Sequence, residues 1–142
     1  MLFRNVIMYV YVSSDCSSDY FEGNTNSKFT SLLPQKLELE GDWEVALLQI
    51  QYSSSNKSIR INVQTDVISD VIFENNMLPI LRQINLSSKG KFTTVNYPFY
   101  LPVRKHHVDK ISIHIVNQEE ETHSFANSKP VRCTLHFRKC RK

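Results

Sequence analysis

The sequence predicts an all-β protein, an antiparallel β-sandwich, on three observations. Apolar and polar residues alternate with period 2 in three separate segments, turn-rich pieces divide the apolar runs, and no stretch carries a convincing helical period. The clearest alternation sets Ile111, Ile113 and Ile115 against Lys110, Ser112 and His114. Val131, Cys133, Leu135 and Phe137 alternate in the same way with Arg132, Thr134, His136 and Arg138, and Ile59, Ile61 and Val63 with Arg60, Asn62 and Gln64. One dry face and one wet face per strand is what antiparallel sheets packed over a shared core require. Ile111, Ile113, Ile115, Val131, Leu135 and Phe137 are therefore expected to face that core.

Taken in chain order, the first element is a strand from Ile7 to Ser13. The run Leu2 to Val12 has the apolarity of a short signal peptide, but it has a single early cation, Arg4, and no small-residue cleavage site follows, so a buried strand is the better reading. Further strands are expected at Lys28 to Leu33, Lys36 to Leu39, Trp43 to Tyr52, Leu78 to Leu86 and Lys91 to Asn96. Trp43 to Tyr52 also fits a helix, but Gly41-Asp42 and Ser53-Ser54-Ser55-Asn56 bound it at strand length, and it reads as a central strand. Pro79 falls where a missing N–H does least harm, at the start of its run. Loops are expected at Ser13 to Asn26, Ser53 to Lys57, Ser87 to Gly90 and Asn117 to Lys129. About eight to ten short strands with such connections specify a sandwich, and a single jelly roll is the expected form.

A chain of 142 residues fits one domain spanning residues 1–142, and 41% apolar with 22% charged residues is a globular composition able to bury a core. Three Gly and five Pro exclude collagen-like and Gly-rich phosphate-loop readings. No segment reaches the ~18 apolar residues of a membrane span, so a soluble protein without a membrane partner is expected. Cys16, Cys133 and Cys140 are odd in number and match no zinc spacing, which predicts free thiols in a reducing compartment. Asn56-Lys57-Ser58 and Asn85-Leu86-Ser87 fit the glycosylation pattern by chance in a chain without a secretion signal. Net charge is +3, unevenly spread: residues 1–97 hold 8 basic and 10 acidic side chains, and residues 98–142 hold 9 and 4. An acidic partner would therefore meet the C-terminal part.

A search for chemistry returns no nucleophile elbow, no H-E-x-x-H, no Walker loop and no C-x-x-C, so no catalytic, cofactor-binding or metal-binding residues are expected and no enzyme. Cys133 and His136, three apart on one strand, point to opposite faces and cannot form a catalytic pair. His106-His107, flanked by Arg104, Lys105 and Lys110, repels cations and reads as a loop leading into the strand at Lys110. Gln118-Glu119-Glu120-Glu121 reads as a solvated loop. The strongest charge cluster is a short basic C-terminal tail at 138–142, where Arg138, Lys139, Arg141 and Lys142 are the candidate nucleic-acid contacts. Such binding would be weak, sequence-independent and lost as salt rises. The same cluster also fits a solvated chain end, and no aromatic stacking platform is visible in the sequence.

Three segments carry a resemblance. Met8 to Asp15, Tyr20 to Thr25 and Phe29 to Pro34, continued by Leu37-Glu38-Leu39-Glu40-Gly41-Asp42-Trp43-Glu44-Val45, resemble the opening of the penton-like minor capsid proteins of Polinton/Maverick elements and adintoviruses. The resemblance resumes at Thr65 to Ile68, Leu78 to Arg82 and Tyr100 to Lys105, and closes with Val108 to Ile115 and Cys133 to Lys139. The chain resembles a shortened form, lacking a segment that the family carries between Tyr52 and the stretch Ile61 to Val67. The resemblance implies a structural, self-assembling jelly-roll subunit of a virion or virus-like particle, intracellular before assembly. Its implied partners are copies of itself, a pentamer first, and other capsid proteins. A shortened or captured copy would fit the same pattern. The alternative from another class is a non-enzymatic β-sandwich module that contacts nucleic acid or a protein through its end loops and basic C-terminus.

Overall fold

A computed structural model describes residues 7–15, 21–52, 59–86, 92–125 and 129–140. Cys16, Arg141, Lys142, the turns Ser53 to Lys57 and Ser87 to Gly90, the glycosylation-type Asn56, and the segment before Ile7 lie outside the described residues.

The chain is all-β and builds an antiparallel sandwich. Its strands are β1 (Ile7–Ser13), β2 (Lys28–Glu38), β3 (Trp43–Gln51), β4 (Ile59–Thr65), β5 (Val71–Phe73), β6 (Asn76–Leu78), β7 (Ile80–Leu86), β8 (Phe92–Thr94), β9 (Leu101–Pro102), β10 (His107–Val116) and β11 (Arg132–Lys139). One sheet has the order β1-β11-β3-β8, with β9 also paired to β3, and the other has the order β2-β10-β4-β7. β5 and β6 form a separate hairpin. Along the chain, β1, β2, β3 and β4 fall alternately in the two sheets, so the connections cross the core.

The six core positions expected from period 2 are all buried: Ile111, Ile113, Ile115, Val131, Leu135 and Phe137. They join Phe29, Leu47, Ile50, Ile61, Leu81 and Leu86 in one hydrophobic cluster between the sheets. β3 lies between β11 and the β8/β9 edge, as a central strand should. Its imperfect alternation has a local cause. The register with β11 slips between Leu47, opposite Leu135, and Gln49, opposite Thr134, so Leu48 is bulged. The bulge switches the core-facing set from Trp43, Val45 and Leu47 to Ile50, which is what one extra residue does to a two-residue period.

Several boundaries differ from the sequence reading. The two strands expected at Lys28 to Leu33 and Lys36 to Leu39 are one strand, β2, that passes through Pro34. Pro is tolerated there because β2 is an edge strand, and pairing with β10 jumps from Leu32–Lys110 to Leu37–Val108 around it. The strand expected at Leu78 to Leu86 is divided by Pro79 into β6 and β7. β10 starts at His107, not Lys110, while His106 keeps the loop position and its Nδ1 lies 3.2 Å from the Leu39 carbonyl oxygen. Asn62, expected on a wet face, is buried, with no hydrogen-bond partner for its Oδ1 among the described residues. β5 and β9 carry no alternation long enough to be read from sequence. The acidic loop is solvated as expected: the Asn117 side chain accepts from the N–H groups of Glu119 and Glu121.

Candidate functional site

The outward face of the five-stranded sheet is built by the odd residues of β1 and the even residues of β11. Ladder pairing sets Tyr9 opposite His136, Tyr11 opposite Thr134 and Ile7 opposite Arg138. Core burial of Val12, Cys133, Leu135 and Phe137 fixes the opposite face, so the tyrosines must point outward. Tyr9 stacks on His136 with ring centroids 4.7 Å apart and planes 19° from parallel. Tyr100, just before β9, meets the same imidazole edge-on, and its hydroxyl lies 2.6 Å from His136 Nδ1. The Arg138 guanidinium sits 3.4 Å above the Tyr100 ring and also pairs with Glu44 on β3. Tyr9, His136, Tyr100, Arg138 and Glu44 thus form one continuous patch across β1, β11, β3 and the segment before β9.

Burial and then the nearby Arg138 hold the His136 pKa below its usual value. His114 is lowered by burial and Lys28, and His123 by burial. A histidine whose folded pKa is lowered takes up its proton more readily when unfolded. Stability is then unaffected above the ordinary histidine range and falls as the pH drops through it. The melting temperature is expected to be lower at pH 5 than at pH 7, and His136→Gln should reduce that difference. A melting temperature flat between those two values would contradict this account of the three side chains.

Arg138 and Lys139, expected in a basic tail, are the last residues of β11, so the cluster starts on the sheet and no free tail begins at 138. Cys140 follows and donates its N–H to the Asp42 carbonyl oxygen at 2.8 Å. Gly41 turns the chain at φ 82°, and a Cβ there would come within 3.1 Å of Lys139 Cε. Lys139 is therefore packed against the turn that leads into β3. Of the four expected nucleic-acid contacts, Arg138 is spent on Glu44 and Tyr100, and Arg141 and Lys142 lie outside the described residues.

An aromatic platform, not visible in the sequence, does exist. Tyr9 and Tyr100 both meet His136, and nothing in the sequence shows that Tyr100, far along the chain, comes beside Tyr9. Cys133 and His136 lie on opposite faces of β11, and complete burial pushes the Cys133 thiol pKa up to about 12. Both Cys133 and Cys140 are free. The described residues hold no group of three His, Cys, Asp or Glu placed to bind a metal ion, and no helix long and apolar enough to cross a membrane.

Two other features are exposed. Ile72 and Met77 face each other across the β5–β6 hairpin, both open to solvent. Phe92, Tyr97 and Phe99 are exposed near β8, where Arg82 lies 3.9 Å over the Phe99 ring and donates to the Tyr97 carbonyl oxygen. On the other sheet, an open groove of about 450 Å³ runs between Phe21, Lys28, Thr30, Gln64 and His114. The molecule thus belongs to the class of antiparallel β-sandwiches with apolar and aromatic surfaces on the sheet edges and hairpin. No protein-family model matches the chain, and no curated protein matches it.

Proposed function

We propose that this protein is a structural, self-assembling capsid subunit of viral type, a non-enzymatic single jelly roll of the penton or minor-capsid kind. The strand order is the observation that carries the reading. Eight strands, β1, β2, β3, β4, β7, β8, β10 and β11, divide into the sheets β1-β11-β3-β8 and β2-β10-β4-β7. That interleaving supports the jelly-roll reading, since two nested Greek keys give such an order and viral capsid domains are among the proteins built that way. The sequence resemblance to penton-like minor capsid proteins supports the same conclusion independently of the strand order. Exposed apolar side chains on β1, near β8 and on the β5–β6 hairpin add a reason for association, since monomers rarely leave large apolar patches open.

In this reading the subunits form a cyclic ring, five-fold first, through heterologous contacts, and the product is a virion or virus-like particle. Light scattering after size exclusion, with negative-stain micrographs of the same fractions, tests it. The expected result is a ring-shaped oligomer with the mass of a pentamer. A monomer throughout, with no rings or shells, would remove the capsid reading. The Tyr9, Tyr100, His136 and Arg138 patch favours a second reading, a module that stacks single-stranded nucleic acid on a sheet face. It would replace the first if the monomer bound oligonucleotides with an affinity that falls steeply with salt.

A further inference from the structure

Each sheet has two edges, and edges left open pair with other chains unless they are protected. β2 carries Lys28, Pro34 and Lys36 and bulges around the proline. β7 is covered by the 92–97 segment, with Thr93 donating to the Asn85 carbonyl oxygen and Arg82 to that of Tyr97. The β8/β9 edge is made of strands of three and two residues and includes Pro102. β1 differs from all of these: seven residues, Ile7-Met8-Tyr9-Val10-Tyr11-Val12-Ser13, with no charge, no proline and no break in its pairing.

The direction of the free main-chain groups of β1 follows from its ladder. Ser14 donates its N–H to Val131 on the β11 side, so residues of even number bond β11. Ser13, the next residue back, turns its N–H and C=O the other way, where the Ser31 hydroxyl meets both. The N–H and C=O groups of Ile7, Tyr9 and Tyr11 therefore point out of the sheet edge. They find no hydrogen-bond partner among the described residues. The same three residues are 47%, 56% and 67% exposed. A strand apolar on both faces reads as one covered on both faces, and here the outward face and the edge are open together.

We infer that β1 pairs antiparallel with β1 of a second copy across a two-fold axis, joining the two five-stranded sheets into one. This contact goes beyond the ring proposed above and does not depend on it. The free groups also set the register. Pairing that uses the outward groups of Ile7, Tyr9 and Tyr11 and stops before Ser13 puts Tyr9 opposite Tyr9 of the second copy, and Ile7 opposite Tyr11. These are hydrogen-bonded pairs, each exchanging both main-chain bonds. A second copy suits this edge because the strand meets itself without opposing charges, and the two-fold makes one patch serve both sides.

The area argues for a contact of modest strength. An added strand covers the edge and the flanks of Tyr9, Tyr11 and Ile7 but not their outward face, so it would bury on the order of 200–300 Å² per copy. Two copies then reach on the order of 500 Å², below the roughly 1,000 Å² of a stable specific interface and in the range of a weak, transient one. The dimer is expected to dissociate on dilution.

The register makes the test specific. In hydrogen-bonded antiparallel pairs the Cα atoms lie about 5.5 Å apart and the Cβ atoms about as far, wider than the about 3.5–4.5 Å a disulfide needs but within reach of a short bis-maleimide. In a Cys16→Ser, Cys140→Ser background, Tyr9→Cys should give a covalent dimer with a short bis-maleimide, and Ile72→Cys, on the still more exposed hairpin, should not. Sedimentation of the unmodified protein should show a reversible, concentration-dependent association through this edge, monomer to dimer where rings are absent and ring to linked rings where they form. Tyr9→Lys, which sets like charges directly opposite, should weaken it about ten-fold or more, with an unchanged melting temperature showing that the fold is intact. Cross-linking at position 72 but not 9, or self-association unchanged by Tyr9→Lys, would overturn the inference. Pentameric rings without the position-9 cross-link would overturn it and leave the capsid reading standing. Dimers cross-linked at position 9 without rings would do the reverse.

Discussion

Phe137→Ala is expected to destabilise the protein by about 3–5 kcal/mol. The side chain is fully buried, on a central-sheet strand whose neighbours on both sides place Met8 and Val45 opposite it. Truncation removes the transfer free energy of a phenyl ring and leaves a cavity that β1, β11 and β3 cannot close without breaking their ladders. For a domain of this length each kcal/mol lowers the melting temperature by roughly 2–4 °C, so a drop on the order of 10 °C should be read by calorimetry. Phe137→Leu, which refills most of the volume, should lose much less. An unchanged melting curve for the alanine variant would mean that β11 does not face the core as described.

Asp66→Ala should give the second-largest loss, about 2 kcal/mol, through a polar clasp and not through packing. Asp66 follows β4, accepts a hydrogen bond from the Ser112 N–H at 2.9 Å and pairs with Lys105 Nζ at 2.8 Å. The Arg104 side chain donates to its carbonyl oxygen, and Arg104 N–H donates to that of Val67. The carboxylate thus fastens the end of β4 to the segment that leads into β10. Removing it leaves the Ser112 N–H without its partner. Asp66→Asn keeps an acceptor for Ser112 and loses only a partly exposed ion pair, which is worth at most about 1 kcal/mol. Urea denaturation of the two variants should rank them in that order, and equal losses would show that the ion pair, not the hydrogen bond, carries the effect.

The all-β class, the central position of Trp43 to Tyr52 and the six core residues on the last two long strands and at Val131, just before the second of them, were legible in the sequence. The class and the core residues rest on an alternation sustained over a whole strand, which a half-buried sheet imposes locally and which needs no knowledge of partners, while Trp43 to Tyr52 is read from the turn residues that bound it. The expected bounds of the first strand, Ile7 to Ser13, hold too, but its apolar run reads as a buried strand, whereas its outward face, Ile7, Tyr9 and Tyr11, is exposed. What tertiary structure decided is of a different kind. The bulge at Leu48 and the passage of β2 through Pro34 depend on which strand lies alongside. β5 and β9, at three and two residues, are held by their neighbours and have no period of their own. Arg138 reads in the sequence as one cation in a basic cluster, and only the fold brings Glu44 and Tyr100 to it. The open edge of β1 is the same case: apolar residues on both faces are written in the chain, but that β11 takes one edge and nothing described takes the other follows from the sheet order. Alternation is set by each residue's own environment, whereas a patch or an edge is set by distant segments that only folding brings together.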